Sequence, residues 1–212
     1  MTVLIFGATG RTGIELIKEC LANNINVKCY VRNPAKLNEF TDKVQIIEGS
    51  INDYPKIQES VVGVDCVMNV LGHANNTPKD MQTVAIKNII KAMQFNNIKR
   101  LITLTGAGVI VEGDKPSFFD KLITTILKKV ANARVLDGIN FVEEIKKSDL
   151  NWTVFRAPIL TNAPKSNNVK LTMVGDNSVK FSVSRKDIAQ KFVEVINDST
   201  MFNKLPYIAE LK

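Results

Sequence analysis

The chain has 212 residues, 45% of them hydrophobic, and a formal net charge of +7; this size and composition favour one domain with a single sizeable core. No stretch is long enough to span a membrane, and the first residues begin a strand-like segment, so we expect a cytoplasmic protein without a membrane partner. The lysines are spread out without a zinc-finger, basic-zipper or aromatic RNA-binding pattern, which favours a solvated basic surface and no nucleic-acid partner.

The opening segment predicts a strand, a tight turn and a helix. The run Thr2–Phe6 is apolar and lacks alternation, as expected of a strand buried on both faces of a parallel sheet. From Thr12 the apolar residues recur at helical spacing. Three glycines fill the turn between the two elements: Gly7, Gly10 and Gly13.

The spacing of these glycines, G-x-x-G-x-x-G, indicates a dinucleotide-binding turn. The first amides of a helix lack internal partners and attract a phosphate, and glycines let the backbone approach it closely. The spacing differs by one residue from G-x-G-x-x-G and is the variant seen in relatives of the short-chain dehydrogenases. The alternative is an ordinary glycine-rich turn without a ligand.

Strands and helices continue to alternate after this unit. Strands are predicted over 27–31, 44–47, 65–71, 101–104 and 152–155, with short ones near Lys170, Lys180 and Tyr207. Helices are predicted over 35–40, 54–60, 79–95 and 185–196, and in two pieces over 118–130 and 135–147, with a loop over 158–168. This order predicts an α/β fold in one domain, 1–212: a doubly wound parallel sheet of the Rossmann type, with helices on both faces and a ligand crevice at the carboxyl ends of its strands.

The three cysteines, Cys20, Cys29 and Cys66, are odd in number and lie in apolar surroundings. They suit reduced core residues better than disulfides or a metal site, so we expect no bound metal.

The end of the second predicted strand bears on the choice between NAD and NADP. It reads "CYVRNP", so an arginine, Arg32, stands where an NAD site places a carboxylate for the ribose 2′-hydroxyl. A guanidinium suits a 2′-phosphate, and Arg11 in the glycine turn is a second candidate for the same contact. The sequence therefore predicts NADP(H) in preference to NAD(H), the alternative being that both arginines are only solvated.

Five segments together resemble a known family. They are "GATGRTG", "VRNPAKL", "IKRLITLTGAGV", "SDLNWTVFRAPIL" and "FSVSRKDIAQKFVEVI", in this order. The chain resembles the atypical short-chain dehydrogenases, most of all their NmrA-like and biliverdin reductase B/flavin reductase branch, over nearly its whole length.

The resemblance implies a cofactor position residue by residue. It places the diphosphate on Gly7, Thr9, Gly10, Arg11, Thr12 and Gly13, and the adenosine ribose near Arg32. It places the adenine against Ser50 and Ile51, the nicotinamide ribose above Leu71, Gly72 and Thr105, and the nicotinamide near Pro158. Relatives usually carry an aspartate at the position of Ser50, and a hydroxyl is a weaker acceptor for the adenine amino group.

The acid pair of carbonyl-reducing short-chain dehydrogenases is missing. The residues four positions after the three tyrosines are Pro34, Gln58 and Leu211, so no Tyr-x-x-x-Lys pair exists. Two weak catalytic candidates lie near the predicted crevice. Thr105 is alternatively a cofactor contact or turn residue, and His73, the single histidine, is alternatively an exposed loop residue.

Without an acid pair, the favoured reaction is hydride transfer from NADPH to a flavin, quinone or similar conjugated acceptor, because such a ring delocalises the charge it receives. The alternative is a non-catalytic NADP-binding sensor of the NmrA type, which would need a protein partner. We expect the substrate side mainly in 109–150 and 158–183, with 117–147 forming a helical lid; ordinary core packing is the alternative for that segment.

Overall fold

The computed structural model describes residues 1–74, 77–176 and 178–211. The strands are β1 (Thr2–Phe6), β2 (Asn26–Val31), β3 (Gln45–Glu48), β4 (Cys66–Asn69), β5 (Arg100–Gly106), β6 (Asn151–Ala157), β7 (Ile159–Thr161), β8 (Val169–Thr172), β9 (Ser182–Ser184) and β10 (Tyr207–Glu210). The α-helices are α1 (Arg11–Ala22), α2 (Tyr54–Ser60), α3 (Met81–Phe95), α4 (Phe118–Lys146) and α5 (Arg185–Glu194), and short 3₁₀ segments cover Pro34–Phe40 and Ser199–Met201.

Eight strands form one sheet in the order β3-β2-β1-β4-β5-β6-β10-β8, which confirms the predicted doubly wound α/β fold. All neighbours are parallel except β10 and β8, which are antiparallel, so the sheet is mixed at one edge. The order reverses between β1 and β4, and in this kind of fold the ligand crevice lies outside the carboxyl ends of the strands at that point.

The sheet is covered on both faces, because the side chains of each strand alternate between two cores. Val3 and Ile5 of β1 belong to the core that includes the buried sides of α1 and α5. Leu4 and Phe6 belong to the core that includes α2, α3 and the second half of α4. All four are at most 1% exposed, as expected for a strand buried on both faces.

One detail differs from the sequence prediction. The segment predicted as a loop over 158–168 contains β7, which pairs in parallel with β9 in a separate two-stranded sheet. Its three residues are too few for a pattern, and its partner lies more than twenty residues away in the chain. The two helical pieces predicted over 118–130 and 135–147 are both present within α4, where a kink at Ala131, with φ of −143° and ψ of 36°, separates them.

The three cysteines are buried and free. Burial raises the pKa of Cys20, Cys29 and Cys66 to about 12, so each stays a thiol at neutral pH. Within the described ranges, no group of three or more His, Cys, Asp or Glu residues could hold a metal ion, and no helix is both long and apolar enough to cross a membrane.

Candidate functional site

The glycine turn lies at the strand-order reversal and is closely packed. Gly7 has a φ of +81°, and a Cβ there would lie 2.8 Å from the backbone nitrogen of Leu71, at the end of β4. A Cβ at Gly13 would lie 2.3 Å from the carbonyl oxygen of Gly7, so α1 packs directly on the turn. Gly7 therefore permits the turn and Gly13 permits the contact between helix and turn.

The N-terminus of α1 points out of this turn. Gly10 is the N-cap residue, a glycine has no side chain with which to cap the helix, and the first turn contains no acidic residue. The backbone amide of Ile14 donates to the carbonyl of Gly10 over 2.9 Å, which leaves the preceding amides without helical acceptors. Unpaired amides and the positive end of the helix dipole make this turn suited to an anion.

One end of the cleft, which we call the adenosine end, has a volume of about 290 Å³. It brings together five residues predicted to contact the cofactor, namely Arg32, Ser50, Ile51, Leu71 and Gly72, and adds Asn52, Thr77, Pro78, Asp80, Met81 and Val84. Arg32 is exposed, and no described carboxylate lies within ion-pair distance of it. An exposed guanidinium at the mouth of the cleft is thus available to a ligand.

The backbone beneath the adenosine end is fixed by three hydrogen bonds. The Tyr30 hydroxyl donates to the carbonyl of Ser50 over 2.9 Å, and the Asn88 side chain donates to the carbonyl of Ile51 over 2.7 Å. The Ser50 hydroxyl accepts from the amide of Asn52. Burial raises the pKa of Tyr30 to about 12, so the phenol keeps its proton for this contact at neutral pH.

The other end, which we call the nicotinamide end, has a volume of about 540 Å³. It brings together eight predicted residues: Gly10, Arg11, Thr12, Leu71, Gly72, His73, Thr105 and Pro158. Further lining comes from Val70, Ala74, Gln82, Leu104, Gly106, Ala157, Leu160 and Arg185. Leu71 and Gly72 line both ends, whereas Gly7, Thr9 and Gly13 line neither and belong to the glycine turn.

His73 is not an exposed loop residue, since its side chain is only 9% exposed. Its Nε2 lies 2.9 Å from Oδ2 of Asp137, which is itself 1% exposed, and its Nδ1 lies 3.3 Å from the hydroxyl of Thr77. The ring is therefore fixed between two elements at the wall of the nicotinamide end.

Asp137 is a structural residue that sequence reasoning missed. From α4 its carboxylate accepts from the backbone amides of Gln82 and Thr83, at 2.9 and 3.0 Å, and from the Thr83 hydroxyl at 2.5 Å. It thus caps the N-terminus of α3, where the N-cap residue Asp80 makes no side-chain cap. A carboxylate among apolar neighbours in the predicted helix over 135–147 was the available signal.

Arg185 is the second residue that sequence reasoning missed. It is the first residue of α5, is 7% exposed and lines the nicotinamide end together with Arg11. Its Nη1 donates to Oδ1 of Asn162 over 2.7 Å, which is a neutral partner. Burial, and then the neighbouring charge of Arg11, lower the pKa of Arg185.

Thr105 lies at the end of β5 and is 5% exposed. Its hydroxyl has no hydrogen-bond partner among the described residues, and Gly138 of α4 lies directly behind it, where a Cβ would come within 3.3 Å of the Thr105 Oγ1. The hydroxyl is therefore available to a molecule in the cleft.

The segment before α4 and the first half of that helix lie apart from the described lining residues. The loop over 107–117 is anchored by a bidentate ion pair in which Arg156 Nη1 and Nη2 lie 2.9 and 2.8 Å from the Asp114 carboxylate. Phe118, Leu122 and Ile126 are exposed, at 81, 46 and 52%. That the segment 117–147 forms a lid stays a prediction.

Comparisons with known proteins agree with this architecture. A sequence profile described as NAD(P)H-binding matches residues 7–199. An oxidoreductase, dmxR7, of Cryptosporiopsis sp. is 26% identical over 217 residues, which cover 93% of this chain and 88% of that protein.

Two solved structures show the same fold. A short-chain dehydrogenase/reductase of Veillonella parvula, solved with NADP, is 21% identical and superposes with a TM-score of 0.80 over 99% of this chain and 94% of that one. The anaerobillin reductase ChuY of Escherichia coli O157:H7 is 17% identical, with a TM-score of 0.80 over 99% and 97% of the two chains. The fold implied by the resemblance to the short-chain dehydrogenases is thus confirmed.

Proposed function

This chain belongs to the family of NAD(P)H-binding proteins, and on that premise we propose that it is an NADPH-dependent reductase. Its acceptor is a flavin, a quinone or a similar conjugated ring. The similar oxidoreductase of Cryptosporiopsis sp. and the fold shared with an anaerobillin reductase support an oxidoreductase reaction.

The cofactor lies across the glycine turn in this proposal. Its adenosine occupies the end lined by Arg32, Ser50 and Ile51, and its diphosphate meets the N-terminus of α1. Its nicotinamide ribose lies against Leu71, Gly72 and Thr105, and the nicotinamide approaches Pro158.

Arg32 supports NADP(H) over NAD(H). It follows β2 directly, is exposed and has no described carboxylate within ion-pair distance, so its guanidinium is available to a 2′-phosphate. An NAD site would place a carboxylate at this point to accept from the free 2′-hydroxyl. The carboxylate that does line this end, Asp80, comes from the residue before α3 and not from β2.

The observation that carries the reaction is the lining of the nicotinamide end. Tyr30, Tyr54 and Tyr207 are absent from its described lining, while Val70, Leu104, Ala157, Pro158 and Leu160 give it apolar walls. A ketone that receives hydride needs a proton at once, whereas a conjugated ring spreads the charge and takes its proton from water. The protein then needs only to position the two rings against each other.

In this reaction the protein's own polar side chains are needed only to orient the reacting molecules. NADPH loses a hydride and becomes NADP⁺, and the acceptor gains that hydride and a proton. The Thr105 hydroxyl and the His73 ring both line this end. We assign them to orienting the cofactor or acceptor by hydrogen bonds.

A non-catalytic NADP sensor is the second candidate. Phe118, Leu122 and Ile126 recur every four residues along α4 and are exposed, as in a helix face that binds a partner protein. A sensor would bind NADPH without consuming it.

Steady-state oxidation of NADPH in the presence of a panel of flavins and quinones distinguishes the two. We expect turnover above the protein-free rate, and a Gly10→Val variant should return the rate to the protein-free level. Binding of NADPH without turnover on any acceptor would contradict the reductase proposal and favour the sensor.

A further inference from the structure

Two arginines begin two neighbouring helices at the nicotinamide end. Arg11 is the first residue of α1 and Arg185 is the first residue of α5, and the helices pack against each other along one face of the sheet. Both side chains line the same cleft, and no aspartate or glutamate is among its described lining residues. The cleft therefore carries two positive charges and the positive ends of two helix dipoles.

The two arginines differ in their surroundings. Arg11 is exposed, so water can screen its charge, but Arg185 is 93% buried and lacks an acidic partner in the described chain. The nearest carboxylate in sequence, Asp187, accepts instead from the amide and hydroxyl of Ser166. A buried charge without a counter-charge destabilises the folded protein, so an unpaired Arg185 indicates a site that is complete only with an anion bound.

The backbone fixes which wall of the cleft holds Arg185. β9 ends at Ser184 and pairs with β7, which directly follows Pro158. The Ser184 hydroxyl donates to the carbonyl of Ala163 over 2.6 Å, and Asn162 accepts from the guanidinium. Arg185 is thus attached to the Pro158 wall, beyond the glycine turn that faces the diphosphate.

We propose that Arg185 forms an anion subsite for an acidic group, a phosphate or carboxylate, carried by the acceptor. This inference rests on the proposed reductase function and narrows it to conjugated acceptors that bear an acid. The apolar wall of Leu104, Pro158 and Leu160 contacts the ring, and Arg185 pairs with the acid at its edge. Arg11, on the glycine turn, remains with the diphosphate.

The first test needs no turnover. Inorganic phosphate is titrated by calorimetry onto the NADP⁺-saturated protein, in the wild type, Arg185→Met and the control Lys186→Met, which changes the exposed neighbouring cation. We expect Arg185→Met to weaken phosphate binding at least tenfold, with NADP⁺ affinity retained, and Lys186→Met to change neither. The unliganded Arg185→Met protein should melt at the same or a higher temperature, because an uncompensated buried charge is removed.

The second test identifies the source of the anion. FMN and riboflavin differ by one phosphate, so we expect the wild type to favour FMN in kcat/KM and Arg185→Met to lose that preference. If phosphate binding depends on Arg185 but neither flavin is reduced, the subsite stands and the reductase proposal fails. Equal use of both flavins by the wild type would overturn the inference, and so would unchanged phosphate binding in Arg185→Met. If Arg185→Met loses NADP⁺ affinity instead of phosphate affinity, the inference is also overturned and Arg185 is assigned to the diphosphate.

Discussion

The two ends of the cleft are built in different ways. At the adenosine end the charged residues, Arg32 and Asp80, are exposed and make no described ion pair. At the nicotinamide end Arg11 is also exposed, but His73 and Arg185 are largely buried, and their partners, Asp137 and Asn162, come from other parts of the chain. One end presents solvated side chains to a ligand, and the other holds polar groups in place before any ligand arrives.

This difference predicts which substitutions should change cofactor affinity alone and which should also change stability. An exposed side chain costs little to remove, so changes at the adenosine end should alter cofactor affinity and leave stability alone. A buried polar group that has described partners leaves them unpaired when it is removed, so a change at such a residue behind the nicotinamide end, above all at Asp137, should also alter stability. The helix α3 offers a direct comparison, because two carboxylates lie at its N-terminus and only one of them, Asp137, accepts from its amides, whereas Asp80 makes no cap.

The largest effect is expected in the glycine turn, at Gly10. Replacing Gly10 with Val should abolish nucleotide binding, because the branched side chain would occupy the path of the diphosphate. Calorimetry with NADPH measures this, and a thermal melt checks that the fold survives. Gly10→Ala should have a smaller effect, since a Cβ alone lies 3.2 Å from the carbonyl of Gly7. Unchanged NADPH affinity in Gly10→Val would mean that the turn does not hold the diphosphate.

The next effect compares the two carboxylates at α3. Asp137→Ala removes the cap from Gln82 and Thr83 and leaves buried donors unpaired, which should lower the free energy of unfolding by about 3 kcal/mol. Asp80→Ala is the matched control, because Asp80 is exposed and makes no cap hydrogen bond, and it should change stability by less than about 0.5 kcal/mol. Urea unfolding of both variants gives the two values. Equal losses would remove the proposed difference between the ends.

Arg32 should give an effect on affinity alone. Its contact with a 2′-phosphate is worth about 1.5 to 3 kcal/mol, so Arg32→Ala should weaken NADPH binding roughly tenfold to a hundredfold and leave NADH nearly unchanged. Arg32→Asp should in addition repel the phosphate and accept from the 2′-hydroxyl of NADH. Dissociation constants for both nucleotides at low and moderate salt give the answer. An equal loss for both would show that Arg32 supports the loop without reading the phosphate.

The smallest effect is expected at Thr105. Thr105→Val removes a hydroxyl without a described partner, so stability should hold while kcat/KM falls roughly threefold to tenfold through the loss of one hydrogen bond to the bound molecules. Thr103→Val, two residues earlier on β5, is the control, because its buried hydroxyl donates to the carbonyl of Asn69 over 2.8 Å. That control should lose stability. A stability loss in Thr105→Val would assign its hydroxyl to the core.

Sequence reasoning was most successful where a structural feature depends only on the residues of one short segment. The run Thr2–Phe6 and the glycines that follow predict strand, turn and helix together, because periodicity and backbone freedom are local properties. The role proposed for Arg32 was inferred in the same way, from the end of a single strand.

The residues that were missed depend on contacts distant in sequence. Asp137 caps a helix whose first turn is more than fifty residues earlier, and Arg185 enters the cleft through the pairing of β7 with β9. His73, whose alternative interpretation from the sequence is an exposed loop residue, lies against Asp137 of α4. Long-range pairing of this kind leaves no periodic pattern in one sequence, so its partners become known only with the fold.

Transfer of hydrogen from C4 of NADPH to the acceptor is the central claim, and isotopic labelling tests it most directly. NADPH with deuterium in either of the two C4 positions is oxidised by the protein without oxygen, with a flavin or quinone as the acceptor. The account predicts that one label slows single-turnover oxidation and is absent from the NADP⁺ formed, whereas the other does neither. Equal rates for both labels, or oxidation no faster than without the protein, would contradict it.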